Sequence, residues 1–292
     1  MPEIGAVVIT LNEGERLRST VEQLCASLPG DADIIVVDDG STDGSTSFLN
    51  GGDGRVQLLR TENLGTAKTR NLAVQHTSAN TIVFLDAHLN LPRGWWEPIL
   101  ELLDQTGAGA VAPVVSDIDE PDRKAFGMGF KGPDLSVEWL RQNGAEPYRV
   151  PLLPWCCAAI RRDVFREIGG FDEDMIRWGG IDIELSLRLW LRGYELWLTP
   201  HVEVFHFFRQ TRPFPVEWSW VIHNRLRTAF LHFSLERVTR VVKSLCTHQG
   251  FAAAVALAIG RDIAARRNEL DARRLHDDQW FFEKFGSLGE SF

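Results

Sequence analysis

The chain has 292 residues, 44% hydrophobic and 24% charged, with 40 acidic against 31 basic side chains and a formal net charge of −9. This composition excludes a disordered chain, and the acidic balance argues against a protein that coats nucleic acid. The length suits one large α/β domain or two small ones. Ala6–Leu11 is a continuous apolar run with β-branched residues, the pattern of a strand buried on both faces, and no basic segment precedes it as in a signal peptide. Leu17, Val21, Leu24, Cys25 and Leu28 recur at helical spacing up to Pro29-Gly30, which predicts an amphipathic helix. Further strands are predicted at Ile34–Val37, Val56–Leu59 and Ile82–Leu85, and helices over Ala67–Gln75 and Trp95–Leu103. The repeated strand–helix–strand order implies a doubly wound parallel sheet.

Residues 116–150 lose this periodicity and read as an irregular connection that contributes to a substrate wall. Order returns at Cys156–Ile160 and in a short helix over Asp163–Ile168. Segment 181–191 alternates like a strand but also carries a helical face; Glu184 and Arg188 stand i,i+4, and we read a helix. From Val216 onward the chain reads as mostly helical, which divides it into a unit over 1–215 and a helical extension over 216–292. Arg261, Arg266, Arg267, Arg273 and Arg274 give that extension a basic face, read as solvated surface with peripheral membrane contact as the lesser option. Its apolar run Phe251–Ile259 is too short to span a bilayer. The cysteines lack CxxC spacing, and adjacent Cys156 and Cys157 make a poor disulfide framework, so we expect packed thiols in a cytoplasmic protein. Gly127, Gly129 and Gly132 fit G-x-G-x-x-G but lack a strand before and a helix after; we read a loop, not a dinucleotide site.

In open α/β sheets ligands sit beyond the carboxyl ends of the strands. Thr10, Asn12 and Glu13 follow the first strand, Asp38 and Asp39 the second, and Asp86 and His88 the fourth. Asp86-Ala87-His88 places a carboxylate and an imidazole one residue apart, a pair suited to Mn²⁺ or a similar borderline cation. Asp38-Asp39-Gly40-Ser41 fits an Asx-turn or a helix cap, or a carboxylate that accepts from a nucleobase imide. Ten tryptophans, against two tyrosines, cluster around Trp95, Trp178 and Trp218; most read as core, some as sugar platforms.

Together these segments resemble the family 2 glycosyltransferases and, within the same fold, the polypeptide N-acetylgalactosaminyltransferases. The matching pieces are Val8–Glu13, Val36–Ser41, Asn63-Leu64-Gly65 with Lys68, Arg70 and Asn71, and Phe84–His88 followed by Gly94–Pro98. They continue with Gly169–Asp172, Trp178-Gly179-Gly180, Glu184, Arg188, Gly193 and Val204–Arg209, spanning about residues 4–215.

The resemblance implies a GT-A fold, Rossmann-like with a mostly parallel central sheet, and a UDP-sugar donor. It implies a nucleoside pocket of Thr10, Asn12 and Glu13 with Asp39 on the uracil, and Lys68, Arg70, Trp178 and Arg209 near the donor. Asp86, His88 and His206 would hold Mn²⁺ (or Mg²⁺). In isolation His206 reads as a core residue, and His201 competes with it, but opposite strand parity turns His201 to the other face. Arg209 and Arg212 match a loop that folds over the donor. Asp182 matches the base of inverting members, its plain alternative being a helix N-cap, while Trp178-Gly179-Gly180 looks like the retaining group. A retaining enzyme and a non-catalytic sugar-nucleotide or glycan-binding protein are the alternatives. The acceptor, a glycan, peptide or small molecule, is expected against residues 116–157 and around Trp178.

Overall fold

The computed structural model describes residues 3–50, 54–209, 211–259 and 262–285. Its centre is a sheet that grows outward from β1 (Ile4–Thr10), paired in parallel with β2 (Asp33–Asp38) and β4 (Thr81–Asp86). β3 (Val56–Arg60) extends it in parallel beyond β2. Side chains of β1 alternate between two cores: Ala6 and Val8 pack on one face, Val7 on the other. α1 (Glu15–Ser27) covers the first face through Leu17, Val21 and Leu24, joined by α3 (Glu97–Thr106). α2 (Thr66–Gln75) covers the second.

Beyond β4 the sheet departs from the parallel expectation. β5 (Leu89–Asn90) and β6 (Ala110–Asp117) come next in the chain, yet β11 (Cys157–Arg161) lies between β4 and β6 and runs against both. The excursion over 118–156 returns β11 to the sheet from the opposite end. Those residues are more ordered than expected: β7 (Lys124–Ala125) pairs with β6, and β8 (Met128–Phe130) and β9 (Val137–Trp139) form a hairpin. Gly129 thus lies in a strand rather than the loop read from the glycine pattern. β10 (Tyr148–Arg149) ends the sheet against β12 (Leu196–His206), which is parallel to β6. The sheet is therefore mixed, with the carboxyl ends of β1, β2, β4, β6 and β12 on one rim.

α4 (Arg162–Glu167) and α5 (Ile181–Leu191) follow β11. α5 is buried on nearly every side, so helical and alternating patterns coexist in its sequence. Glu184 and Arg188 form the expected pair, bidentate at 2.8 Å, and His232 Nε2 approaches Glu184 at 2.9 Å. Among the described residues five helices follow, α6 (Trp218–His232), α7 (Leu235–Leu245), α8 (Phe251–Ile259), α9 (Ile263–Asp271) and α10 (Asp278–Lys284). Among the described residues no helix is long and apolar enough to cross a membrane. Arg261 lies outside the described residues.

Candidate active site

The rim carries a cavity of about 730 Å³ lined from the ends of β1, β2 and β4, the start of α5, the β8–β9 hairpin, residues 212–216 and α6. Asp86 and His88 reach it from the turn after β4. His206 is more than a hundred residues away in sequence, but β5 pairs with the end of β12 and sets His206 opposite Leu89. Phe207 N–H donating to the His88 carbonyl at 3.2 Å completes that juxtaposition. His206 Nε2 stands 3.1 Å from His88 Nε2 and 3.3 Å from Asp86 Oδ2, and ligand atoms of the three residues lie within 4.8 Å of one another. His201, by contrast, is half exposed and faces Glu146 at 4.0 Å.

Glu13 Oε2 lies 3.1 Å from His88 Nδ1. An ionised Glu13 makes that nitrogen the proton carrier, which leaves the Nε2 lone pair directed at the cluster. His206 Nε2 then faces two acceptors, His88 Nε2 and Asp86 Oδ2, and one N–H can serve only one of them well. A divalent cation would take all three lone pairs together, so the donor set fits a metal. Burial opposes ionisation of Asp86, but His206, Arg70 and His88 together hold its carboxyl far below the usual range. Burial likewise pushes His206 below its ordinary value, keeping it neutral as a ligand must be.

Arg70, on α2, is buried and bridges two carboxylates. Its Nη2 donates to Asp86 at 3.1 Å and to the Trp155 carbonyl at 3.0 Å, while Nη1 stands 3.8 Å from Asp182 Oδ1. Nε and Nη1 make no hydrogen bond among the described residues, and neither does the buried hydroxyl of Thr10 on the same cavity. Unserved polar atoms of this kind mark places for a ligand. Asp182 sits in the first turn of α5; Gly180 is the cap residue, so the N-cap reading of Asp182 is not realised. Desolvation in the cavity raises its carboxyl, Arg70 counters and Asp86 adds to the rise, giving about 6. The side chain is 38% accessible, so the group meets whatever enters the cavity.

Other predicted residues are placed differently. Asn12 lies outside the cavity lining: its Oδ1 accepts from Thr42 N–H at 2.8 Å and its own N–H donates to Ser41 at 2.9 Å. Lys68 is exposed on the outer side of α2, also outside the lining. Glu13 lines the cavity, but its carboxylate is engaged by His88 and Arg209, and Arg209 itself is not on the lining. Arg212 is, with its guanidinium 3.8 Å over the ring of Trp178. Asp38 takes the plain reading, accepting from Ser41 N–H and Thr46 Oγ1 at 2.8 Å each.

Asp39 lines the cavity while holding a loop. Thr61 Oγ1 (2.7 Å), Leu64 N–H (2.6 Å) and Gly65 N–H (2.8 Å) all donate to it. A carboxylate has about four acceptor sites, so one remains for a ligand. Gly65 has φ +90° and a Cβ there would stand 2.8 Å from Arg177 Cα; Thr66 N–H donates to the Arg177 carbonyl at 2.8 Å. The Asp39 loop is thus latched to the segment that carries Trp178. From the other side Asn224, fully buried on α6, donates to the carbonyls of Ile176 (3.0 Å) and Gly179 (2.7 Å) and accepts from Ile176 N–H (2.8 Å). Nothing in the residue pattern pointed to Arg177 or Asn224, because neither belongs to a strand-end motif. Burial raises the thiols of Cys156 and Cys157, consistent with packed rather than nucleophilic cysteines.

The model of the family described as glycosyl transferase family 2 matches residues 6–169, more than half of the chain. The chain belongs to glycosyl transferase family 2. A second model, described as the N-terminal domain of galactosyltransferase, matches residues 147–211. An inactive polypeptide N-acetylgalactosaminyltransferase-like protein 5 from Macaca fascicularis is 33% identical over 189 residues, covering 60% of this chain and 43% of that protein. Polypeptide N-acetylgalactosaminyltransferase 8 from Drosophila melanogaster is 29% identical over 233 residues, covering 72% and 38%. This family 2 chain therefore spans about two fifths of the length of those curated relatives. The crystal structure of GalNAc-T7 with UDP, GalNAc and Mn²⁺ superposes with a TM-score of 0.79 at 20% identity, over 98% of this chain and 57% of that one. The fold is the GT-A fold, as the motif order implied.

Proposed function

We propose that this chain is a divalent-metal-dependent glycosyltransferase that moves a sugar from a UDP-sugar to an acceptor hydroxyl with inversion at the anomeric carbon. The observation that carries the reading is the cluster of Asp86, His88 and His206, whose first two members line the cavity together with Arg70 and Asp182 while His206 stands buried behind them. Asp86, His88 and His206 would hold the cation, which supplies Lewis-acid stabilisation of the departing diphosphate. Two imidazoles in the set favour Mn²⁺ over the oxygen-preferring Mg²⁺. Thr10 and the remaining acceptor site of Asp39 would bind the nucleoside, and Arg70 and Arg212 would add positive charge near the phosphates. Asp182 would take the acceptor's proton as the new C–O bond forms and the bond to UDP breaks, UDP leaving with the electron pair.

Retention is the second reading, favoured by Trp178-Gly179-Gly180 and by the names of the relatives. The relative named inactive keeps a binding-only role in view, against which stand the intact metal donors and Asp182. A cytoplasmic setting remains part of the proposal, tested by locating a tagged chain. The deciding experiment is titration of UDP in the presence of Mn²⁺, followed by NMR assignment of the product's anomeric configuration. Asp86→Ala is expected to abolish Mn²⁺-dependent UDP binding; wild-type affinity in that variant would refute the metal site. A retained linkage would remove the role given to Asp182.

A further inference from the structure

The cavity that holds Asp86 and Asp182 is also lined by side chains of another kind. Met128, Leu135 and Val137 come from the β8–β9 hairpin, Ile183 from α5, and Trp218 and Val221 from α6. The hairpin is rigid. Lys131 N–H donates to the Ser136 carbonyl at 2.8 Å, and Asp134 Oδ1 accepts from the Ser136 hydroxyl at 2.6 Å. Asp134 Oδ2 lies 3.2 Å from Arg225 Nη1, which ties the hairpin to α6. Leu135 is fully buried at φ 59°, a left-handed conformation that a branched side chain avoids. Glycine or asparagine would sit there at less strain, so the backbone is bent against preference to keep an apolar side chain in this wall. The wall's charged member, Arg225, is already engaged by Asp134.

We infer that the acceptor is an alcohol or glycoside carrying an alkyl or aryl group that seats on this wall. The inference rests on the transferase reading and names the acceptor class for the same cavity. A bare polyol would press hydroxyls against Val137, Trp218 and the apolar side chains packed behind them, which return few of the hydrogen bonds lost from water. An alkyl or aryl body gains by leaving water there, while the reacting hydroxyl finds an acceptor in Asp182.

The test is calorimetric titration of the full chain loaded with UDP and Mn²⁺. The ligands are octyl β-glucoside, kept below its micelle concentration, and methyl β-glucoside, which presents the same hydroxyls. Octyl glucoside is expected to bind about tenfold tighter or more, with a negative heat-capacity change. Val137→Thr, nearly isosteric, and Leu135→Asn, suited to the backbone, are each expected to weaken the octyl ligand about threefold without changing UDP affinity. Equal affinity for the two glucosides, or octyl affinity untouched in both variants, overturns the apolar acceptor and leaves the donor reading standing. Failure of UDP to bind with Mn²⁺ sinks the donor reading, and this inference with it.

Discussion

Glu13 serves the candidate metal centre without belonging to the donor set. Its carboxylate orients His88 through Nδ1 and receives Arg209 on the same oxygen. Removing such an outer partner lowers metal affinity about 10–100-fold in comparable sites. Glu13→Ala is accordingly expected to raise the Mn²⁺ concentration needed for UDP binding by that factor, read by titrating Mn²⁺ at fixed UDP. In the proposed reaction Asp182 is the group that takes the acceptor's proton. Its carboxyl is raised to about 6, so it is protonated, and unable to act as base, below that pH. Transfer is expected to fall about tenfold per pH unit under pH 6, and Asp182→Asn to cost about 10²–10⁴ in kcat with UDP affinity preserved. A variant that keeps wild-type turnover would exclude Asp182 as the base. At this scale the sequence was most legible where a polar residue ends an apolar strand. Asp86, His88 and Thr10 face the cavity for that reason. Asn12 follows the same strand as Thr10, but its side-chain oxygen accepts from Thr42 N–H and its backbone N–H donates to the Ser41 hydroxyl. No linear pattern discloses that competition.

Among elements, α6 matters more to the site than a sequence reading of surface helices allows. Asn224 grips both sides of the segment leading to Asp182, and Gly180 packs against it with room for little more, a Cβ there falling 3.4 Å from the Asn224 Cβ. Asn224→Ala frees three backbone groups and loosens that segment. The expected outcome is a kcat loss of about tenfold or more with UDP affinity unchanged, since a misplaced catalytic group taxes the reaction rather than donor binding. Partial rescue by Asn224→Gln separates positioning from general destabilisation, and a parallel loss of UDP affinity would contradict the assignment. No strand was read over β6, and its sequence holds a residue that obscures one. Pro113 argues against a central strand, because it removes a ladder donor. In the structure Pro113 stands opposite Thr199, where the β12 register breaks between Thr199 and Glu203, so the missing donor falls at an irregularity. The direction of β11 was equally hidden, since an isolated strand carries no sign of which way its neighbours run.

For the whole molecule, the helical extension over 216–292, expected to pack on or beside the unit over 1–215, is tied to it by buried polar side chains. Arg227 of α6 reaches Asp172 at 2.7 and 3.0 Å, and His232 reaches Glu184, all four side chains being buried. Cutting one partner from a buried charged pair costs about 3–5 kcal/mol, and truncation would cut the Arg227–Asp172 pair together with the His232–Glu184 hydrogen bond and the α6 apolar face. A chain ending at residue 215 is therefore expected to be insoluble or unfolded by circular dichroism; a folded fragment would show that 1–215 stands without the extension. The Asp39 latch has a different reach. Because one carboxylate both faces the cavity and fastens the Gly65 loop against Arg177, changing it to accept another nucleobase in the proposed site would also unhook the peptide that carries Trp178 into that cavity. Anyone redesigning this protein for a new sugar nucleotide should begin at Thr10, whose idle hydroxyl can be altered without unpicking anything else.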